Sequence, residues 1–132
     1  MNCKIAHIEY ELPHKTVTNE DLLRENPDWD IEKLLPKTGV LNRHIAAEGE
    51  TAFDLAVRAC AKLFEKTGIS PQSVDAVIFC TQSPDHIMPG NAFLLHRHFD
   101  LRESALTFDF NLACSGYVYG LIMAKALFAA YP

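Results

Sequence analysis

The fold of this chain is decided by residues 108–117, whose sequence is FDFNLACSGY. The first half indicates a buried strand, and from Tyr117 to Phe128 apolar residues recur at helical spacing. Small residues between the two predict an elbow that places Cys114 at the start of the helix, where the helix dipole and unpaired N–H groups stabilise a thiolate. Gly116 lets a substrate approach the sulfur closely. We therefore predict that Cys114 is an activated nucleophile; the alternative is a small buried cysteine of the core.

The rest of the chain predicts a run of alternating strands and helices. Thr18 and Thr51 are expected to cap helices at their N-termini, and Pro36 and Gly68 to end helices. Such βαβ units predict an α/β fold in which a mainly parallel sheet is covered by helices. Strands are expected over 3–11, 74–80 and 107–112, and helices over 19–25, 30–35, 51–67, 89–99 and after residue 114.

Composition predicts one globular domain of 132 residues. The net charge of −5 gives no reason to expect nucleic-acid binding, and no basic run indicates a membrane surface. No apolar run is long enough to cross a bilayer, and the first residues lack the pattern of a signal peptide. We expect a cytoplasmic protein.

The four cysteines do not indicate a metal site or a disulfide framework. Their wide spacings match no zinc pattern, so reduced thiols are expected, with Cys60 and Cys80 filling the core. His96 and His98 are the other candidate ligands, but on a helix their side chains point about 200° apart. No metal is predicted.

Three segments of the chain resemble one enzyme family. They are Lys37–Val40 with Arg43–Ala46, Thr81–Pro89, and Asp109–Leu121. Together they resemble the β-ketoacyl-ACP synthase III family of condensing enzymes, whose nucleophile motif is matched by the last segment. The resemblance implies the thiolase-like fold. Residues 1–132, which end at Tyr131 and Pro132, would be its N-terminal half, a half-domain carrying the nucleophilic cysteine, with the C-terminal half absent.

The resemblance also implies an acyltransferase reaction. An acyl group would move from acyl-CoA or an acyl carrier protein onto Cys114, and a decarboxylating Claisen condensation with malonyl-ACP would follow. The shape of the elbow predicts that the backbone N–H of Cys114 helps to stabilise the oxyanion. No cofactor is implied beyond these thioester substrates. The histidine and asparagine that assist decarboxylation come from the second half of the family's fold. His86 is therefore expected to be structural or interfacial, and Asn111 is expected to hydrogen-bond the backbone of the elbow.

The resemblance points to two further substrate contacts. Met88 lies where the family inserts an apolar side chain across the dimer interface into the partner's acyl pocket; the alternative is a packed interface methionine. Lys37 lies where the family has an arginine that meets coenzyme A, but no aromatic residue precedes it at the family's tryptophan position, and Trp29 is four residues too early. Lysine offers only a point charge to a phosphate. The acyl donor, its chain length and the pathway therefore stay open.

Two functions from different classes follow. The first is part of a decarboxylating condensing enzyme of fatty-acid or polyketide synthesis, incomplete in this chain, inactive alone and a homodimer at full length. The second is a non-catalytic fragment that dimerises with a full-length synthase, because Ile122, Leu127 and Phe128 would be exposed unless another chain covers them. A redox role for Cys114 is a third alternative, with Cys80 on the adjacent strand but no sign of a resolving partner.

Overall fold

The structure, a computed structural model, describes residues 3–130, except for the side chain of residue 34. The predicted end of the half-domain is at Tyr131 and Pro132, and both residues lie outside the described part of the chain. The described residues form two compact units. Residues 12–50 form what we call the small unit, and residues 3–11 with 51–130 form the large unit.

The small unit contains two short strands and two helices. Their order is β1 (Lys15–Thr18), α1 (Asn19–Glu25), α2 (Ile31–Thr38) and β2 (Asn42–Ile45). The two strands pair antiparallel, with Lys15 opposite Ile45. The cap of α1 at Thr18 is confirmed: its hydroxyl accepts from the Asp21 N–H at 3.1 Å, and the Asp21 carboxylate accepts from the Thr18 N–H at 2.9 Å.

The predicted end of α2 at Pro36 is wrong, because the helix continues to Thr38. Proline removes its own N–H from the helix and crowds the carbonyl four residues earlier, but here the C-terminus is stabilised further along the chain. Gly39 adopts φ 67°, and its N–H donates to the Leu35 carbonyl at 2.8 Å.

The large unit holds the predicted βαβ arrangement. Its main elements are α3 (Ala52–Thr67), β3 (Ala76–Cys80), α4 (Asn91–His98), β4 (Leu106–Phe110) and α5 (Gly116–Ala130). The two strands pair in parallel, from Ala76 opposite Leu106 to Cys80 opposite Phe110. The caps of α3 are confirmed: Thr51 and Asp54 form a capping box at its start, and Gly68 ends it in the left-handed conformation.

The strand predicted over residues 3–11 is wrong. A strand is defined by its ladder of backbone hydrogen bonds, and this segment pairs with no strand in the described part of the chain. It is attached to α3 by side chains instead. Lys66 Nζ lies 2.8 Å from Glu9 Oε1, and Glu11 pairs with both Lys62 and Arg58.

A small core surrounds α4. Its buried apolar side chains in the large unit are Ala92, Leu95, Leu101 and Ala105. By contrast, α5 is apolar on all sides and largely exposed; Ile122 is 59% exposed and Phe128 48%. A helix of this composition is normally buried. The expectation that Ile122 and Phe128 are exposed is confirmed, whereas Leu127 is half-buried.

The start of α3 is joined to the start of α4 by Asp85. Its Oδ1 accepts from the Asn91 side chain at 2.8 Å and from the Phe53 N–H at 3.3 Å, and its own N–H donates to Asn91 Oδ1 at 3.1 Å. Burial of Asp85 works against its charge, but hydrogen bonds from Thr51, Asn91 and Phe53 and the nearby His86 outweigh burial and lower its pKa.

A carboxyl whose pKa is lowered by folding stabilises the folded state at pH values above its ordinary pKa, here 3.8. This stabilisation is lost as the pH falls through the pKa of the carboxyl in the folded state. We therefore expect the urea concentration at the midpoint of unfolding to decrease as the pH is lowered from about 5 to about 3, and to decrease less in Asp85→Asn. Glu103→Gln, at an exposed residue of the same unit, is the control. An Asp85→Asn variant with the wild-type pH dependence would contradict this role.

The start of α5 lies directly against the end of β3. A Cβ at Gly116, which is buried, would come closer than 3.0 Å to Cys80 Sγ. We expect Gly116→Ala to lower the free energy of unfolding by about 1–3 kcal/mol, as overpacking does. Cys80→Ala should recover most of that loss in the double variant. Gly120→Ala is the matched control, because its Cβ would meet the Phe110 ring at an ordinary 3.6 Å. Equal effects at Gly116 and Gly120 in urea denaturation would refute this account.

Candidate functional site

The elbow between β4 and α5 has the predicted form. The strand ends at Phe110, a turn is closed by the Gly116 N–H donating to the Ala113 carbonyl at 2.9 Å, and α5 begins at Gly116. Cys114 lies within this turn with its side chain exposed. An exposed thiol at a helix start differs from the alternative of a buried core cysteine. Its role as a nucleophile stays a prediction.

Cys80 is not the core residue that the sequence predicts. It is exposed, and its thiol donates to the Leu112 carbonyl at 3.5 Å. It is the last residue of β3 and meets the elbow, because the parallel register sets it opposite Phe110. Cys60 is half-buried, and burial raises the pKa of its thiol. All four cysteines are free.

The segment between β3 and α4 presents Met88 to solvent. Met88 is 87% exposed and its neighbour Ile87 is 99% exposed. Two carboxylates hold the C-terminal end of this segment: Asp85 binds Asn91, and Asp109 Oδ1 accepts from the Ala92 N–H at 3.0 Å. An exposed apolar pair on an anchored loop suits a contact with another surface.

Lys37 belongs to the small unit and is exposed on α2. Trp29 lines an open cavity of about 750 Å³ in that unit, and Lys37 is not among its lining residues. The polar lining is mainly acidic: Glu20, Asp28, Asp30 and Glu32. Carboxylates oppose the binding of phosphate groups, so this cavity does not resemble an anion site.

Three contacts around the candidate site could not be read from the sequence. They are the Asp109 carboxylate at the start of α4, the Asp85–Asn91 pair, and the thiol of Cys80 against Gly116. One feature of the sequence is consistent with the Asp109 contact. Gly90 precedes α4 and has no side chain with which to cap the helix.

The two histidines of α4 have other contacts. His98 packs edge-on against Phe53 and Phe99, and the His96 Nε2 lies 3.0 Å from the Arg102 carbonyl oxygen. Within residues 3–130, no group of three or more His, Cys, Asp or Glu is arranged to hold a metal ion. No helix in that range is both long enough and apolar enough to cross a membrane.

Comparison with known proteins shows a consistent relationship. The chain is 39% identical to the β-ketoacyl-[acyl-carrier-protein] synthase III of Chlamydia caviae over 88% of its own length, and 36% identical to that of Rickettsia canadensis over 98%. It spans only 34% and 40% of those two relatives. No protein-family model matches the chain.

Solved structures agree with the sequence relatives. A crystal structure of a 3-oxoacyl-(acyl-carrier-protein) synthase III is 47% identical, with a TM-score of 0.85 over 93% of this chain and 36% of that one. The synthase III of Thermus thermophilus has a TM-score of 0.85 at 33% identity, over 97% of this chain and 39% of that one. The predicted resemblance and fold class are confirmed: the chain is a thiolase-like α/β homologue of part of the β-ketoacyl-[acyl-carrier-protein] synthase III proteins.

Proposed function

We propose that this chain supplies the acyl-accepting part of a decarboxylating condensing enzyme, with Cys114 as the nucleophile. The observation that carries the proposal is an exposed cysteine on a strand–helix elbow in a chain similar to β-ketoacyl-[acyl-carrier-protein] synthases III. The elbow supports the role of Cys114 as a nucleophile chemically. The sulfur is exposed to solvent and lies close to the start of α5.

The proposed first step is acyl transfer. The Cys114 thiol loses its proton to solvent, and the thiolate attacks the carbonyl carbon of an acyl thioester. The backbone N–H of Cys114 stabilises the oxyanion that forms. The carbon–sulfur bond to the donor then breaks, and the donor thiolate leaves and takes up a proton. Gly116 supports this step because it has no side chain to block the approach to the sulfur. A Cβ there would also collide with Cys80 Sγ.

The proposed second step is condensation. Malonyl-ACP loses carbon dioxide, and the resulting carbanion attacks the acyl-cysteine carbonyl, so that the β-ketoacyl product forms and the Cys114 thiolate is released. No residue of this chain is assigned to the decarboxylation. We propose that this step needs the rest of a synthase, in a homodimer with acyl carrier protein as partner, and that no cofactor takes part.

The proposed donor is an acyl thioester of coenzyme A or of an acyl carrier protein. Lys37 would meet the phosphates of coenzyme A or of a carrier's prosthetic arm, but it is a single exposed point charge. The acidic cavity beside Trp29 weighs against coenzyme A at that position. Acyl-CoA and acyl-ACP are therefore both tested as donors.

The second candidate function is a non-catalytic chain that dimerises with a full-length synthase. The apolar and largely exposed surface of α5 favours it, because such a surface needs a cover. The two functions differ in one measurable property. Only the first requires Cys114 to form a thioester.

Incubation with short-chain acyl-CoA or acyl-ACP should add one acyl group to the protein, and Cys114→Ala should abolish the addition. The thioester forms only on that sulfur, so intact-mass measurement with peptide mapping reports it directly. Cys80→Ala is the control, since it removes the neighbouring exposed thiol and keeps Cys114. Acylation of the Cys114→Ala variant would contradict the nucleophile, and no acylation of the wild type would favour the second function.

Met88→Phe should change the chain-length preference of that acylation by about tenfold, if Met88 lines the acyl pocket of a partner subunit. The measurement compares Cys114 labelling by acetyl, butyryl, hexanoyl and octanoyl thioesters. Ile87→Phe is the matched control, because Ile87 is the neighbouring apolar residue on the same loop and is also exposed. An unchanged preference in Met88→Phe would leave Met88 as an interface residue only.

A further inference from the structure

The start of α4 is capped from another element. Gly90 is the N-cap residue of α4 and has no side chain to offer, whereas the N-cap side chain normally accepts one of the first N–H groups of a helix. Asp109 on β4 supplies the missing acceptor: its Oδ1 accepts from the Ala92 N–H at 3.0 Å. Ala92 is completely buried, so its N–H cannot be satisfied by water.

Gly90 is required here for space and not for its backbone conformation. Its dihedral angles, φ −70° and ψ 166°, are open to any residue. A Cβ at this position would lie 2.6 Å from the Asp109 carboxyl carbon, which no real contact allows. The glycine therefore serves one purpose, which is to let the carboxylate reach the helix.

This contact joins the two segments that carry the candidate site. Gly90 follows Met88 by two positions, and Asp109 precedes Cys114 by five on the strand that runs into the elbow. The other carboxylate oxygen, Oδ2, is buried and has no hydrogen-bond partner among the described residues. The bond to the Ala92 N–H is thus the contact that fixes this carboxylate, and through it the end of β4, against the loop.

We propose that Asp109 and Gly90 form a positioning pair that holds the Cys114 elbow in register with the Met88 loop. The pair touches no substrate; it sets where the nucleophile stands relative to a residue of the proposed acyl site. This inference rests on the proposed function of Cys114. Asp109 and Gly90 would act through other residues, so placement of the elbow is measured separately from stability.

The test is a double-mutant cycle of Asp109→Ala and Gly90→Ala. Each single change should raise amide exchange in the elbow, residues 111–115, and in the loop, residues 86–88, and should lower acylation of Cys114 about tenfold, as small misplacements do. The two changes should not add, because without the carboxylate the new methyl group has nothing to displace. The double variant should therefore match Asp109→Ala alone.

Two further variants and one reagent exclude a general loss of structure. Asp109→Asn keeps an oxygen acceptor for the Ala92 N–H and should stay within about twofold of wild type. Gly120→Ala, whose Cβ meets no close contact, should change neither readout. Alkylation of Cys114 by iodoacetamide should stay within about twofold in all variants, because it needs an accessible thiol but no oriented thioester.

The outcomes separate this proposal from the proposed function. Additive effects, an unchanged elbow exchange, or an Asp109→Asn variant as impaired as Asp109→Ala would each overturn the positioning pair. A wild type that is never acylated would overturn the role of Cys114, while amide exchange alone would still decide whether Asp109 and Gly90 act as one unit.

Discussion

The parallel pairing of β3 with β4 is the constraint on which the rest of the large unit depends. Parallel strands end at the same edge of a sheet, and ligand sites of open α/β sheets form outside that edge. Here the register sets Cys80 opposite Phe110, so the loop that follows β3 and the elbow that follows β4 leave the sheet side by side. Met88 and Cys114 are therefore carried by neighbouring segments, although 26 positions separate them in the sequence (114 − 88).

Local features of the sequence predicted those parts of the fold that depend on local chemistry. The N-terminal caps at Thr18 and Thr51, the glycine end at Gly68 and the elbow at Cys114 each depend on residues within one turn, and the structure has all four. The resemblance to condensing enzymes added the fold class, which local patterns alone gave only as α/β.

Features that depend on distant partners were missed. The strands β1 and β2 have the sequences KTVT and NRHI, too short and polar to predict without knowing that they pair. Residues 3–11 have strand-like composition but no pairing partner in the described chain. Cys80 looked like a core residue because it ends an apolar strand, yet the end of that strand meets the open elbow. The residue type alone does not determine how exposed a side chain is, because exposure depends on the elements that surround it in the fold.

The glycines show why the candidate site was harder to predict than the fold. Gly39 and Gly68 have positive φ and empty space where a Cβ would be, and each ends a helix. A helical pattern followed by glycine predicted Gly68, whereas Gly39 was missed because Pro36 was expected to end α2. Gly90 and Gly116 are different: neither has a positive φ, and each admits a side chain from the strand pair, Asp109 of β4 and Cys80 of β3. The sequence alone does not distinguish a glycine that ends a helix from a glycine that leaves space for another side chain. The site is thus shaped by two missing Cβ atoms whose partners lie on other elements, and only the folded chain shows which side chains fill the space.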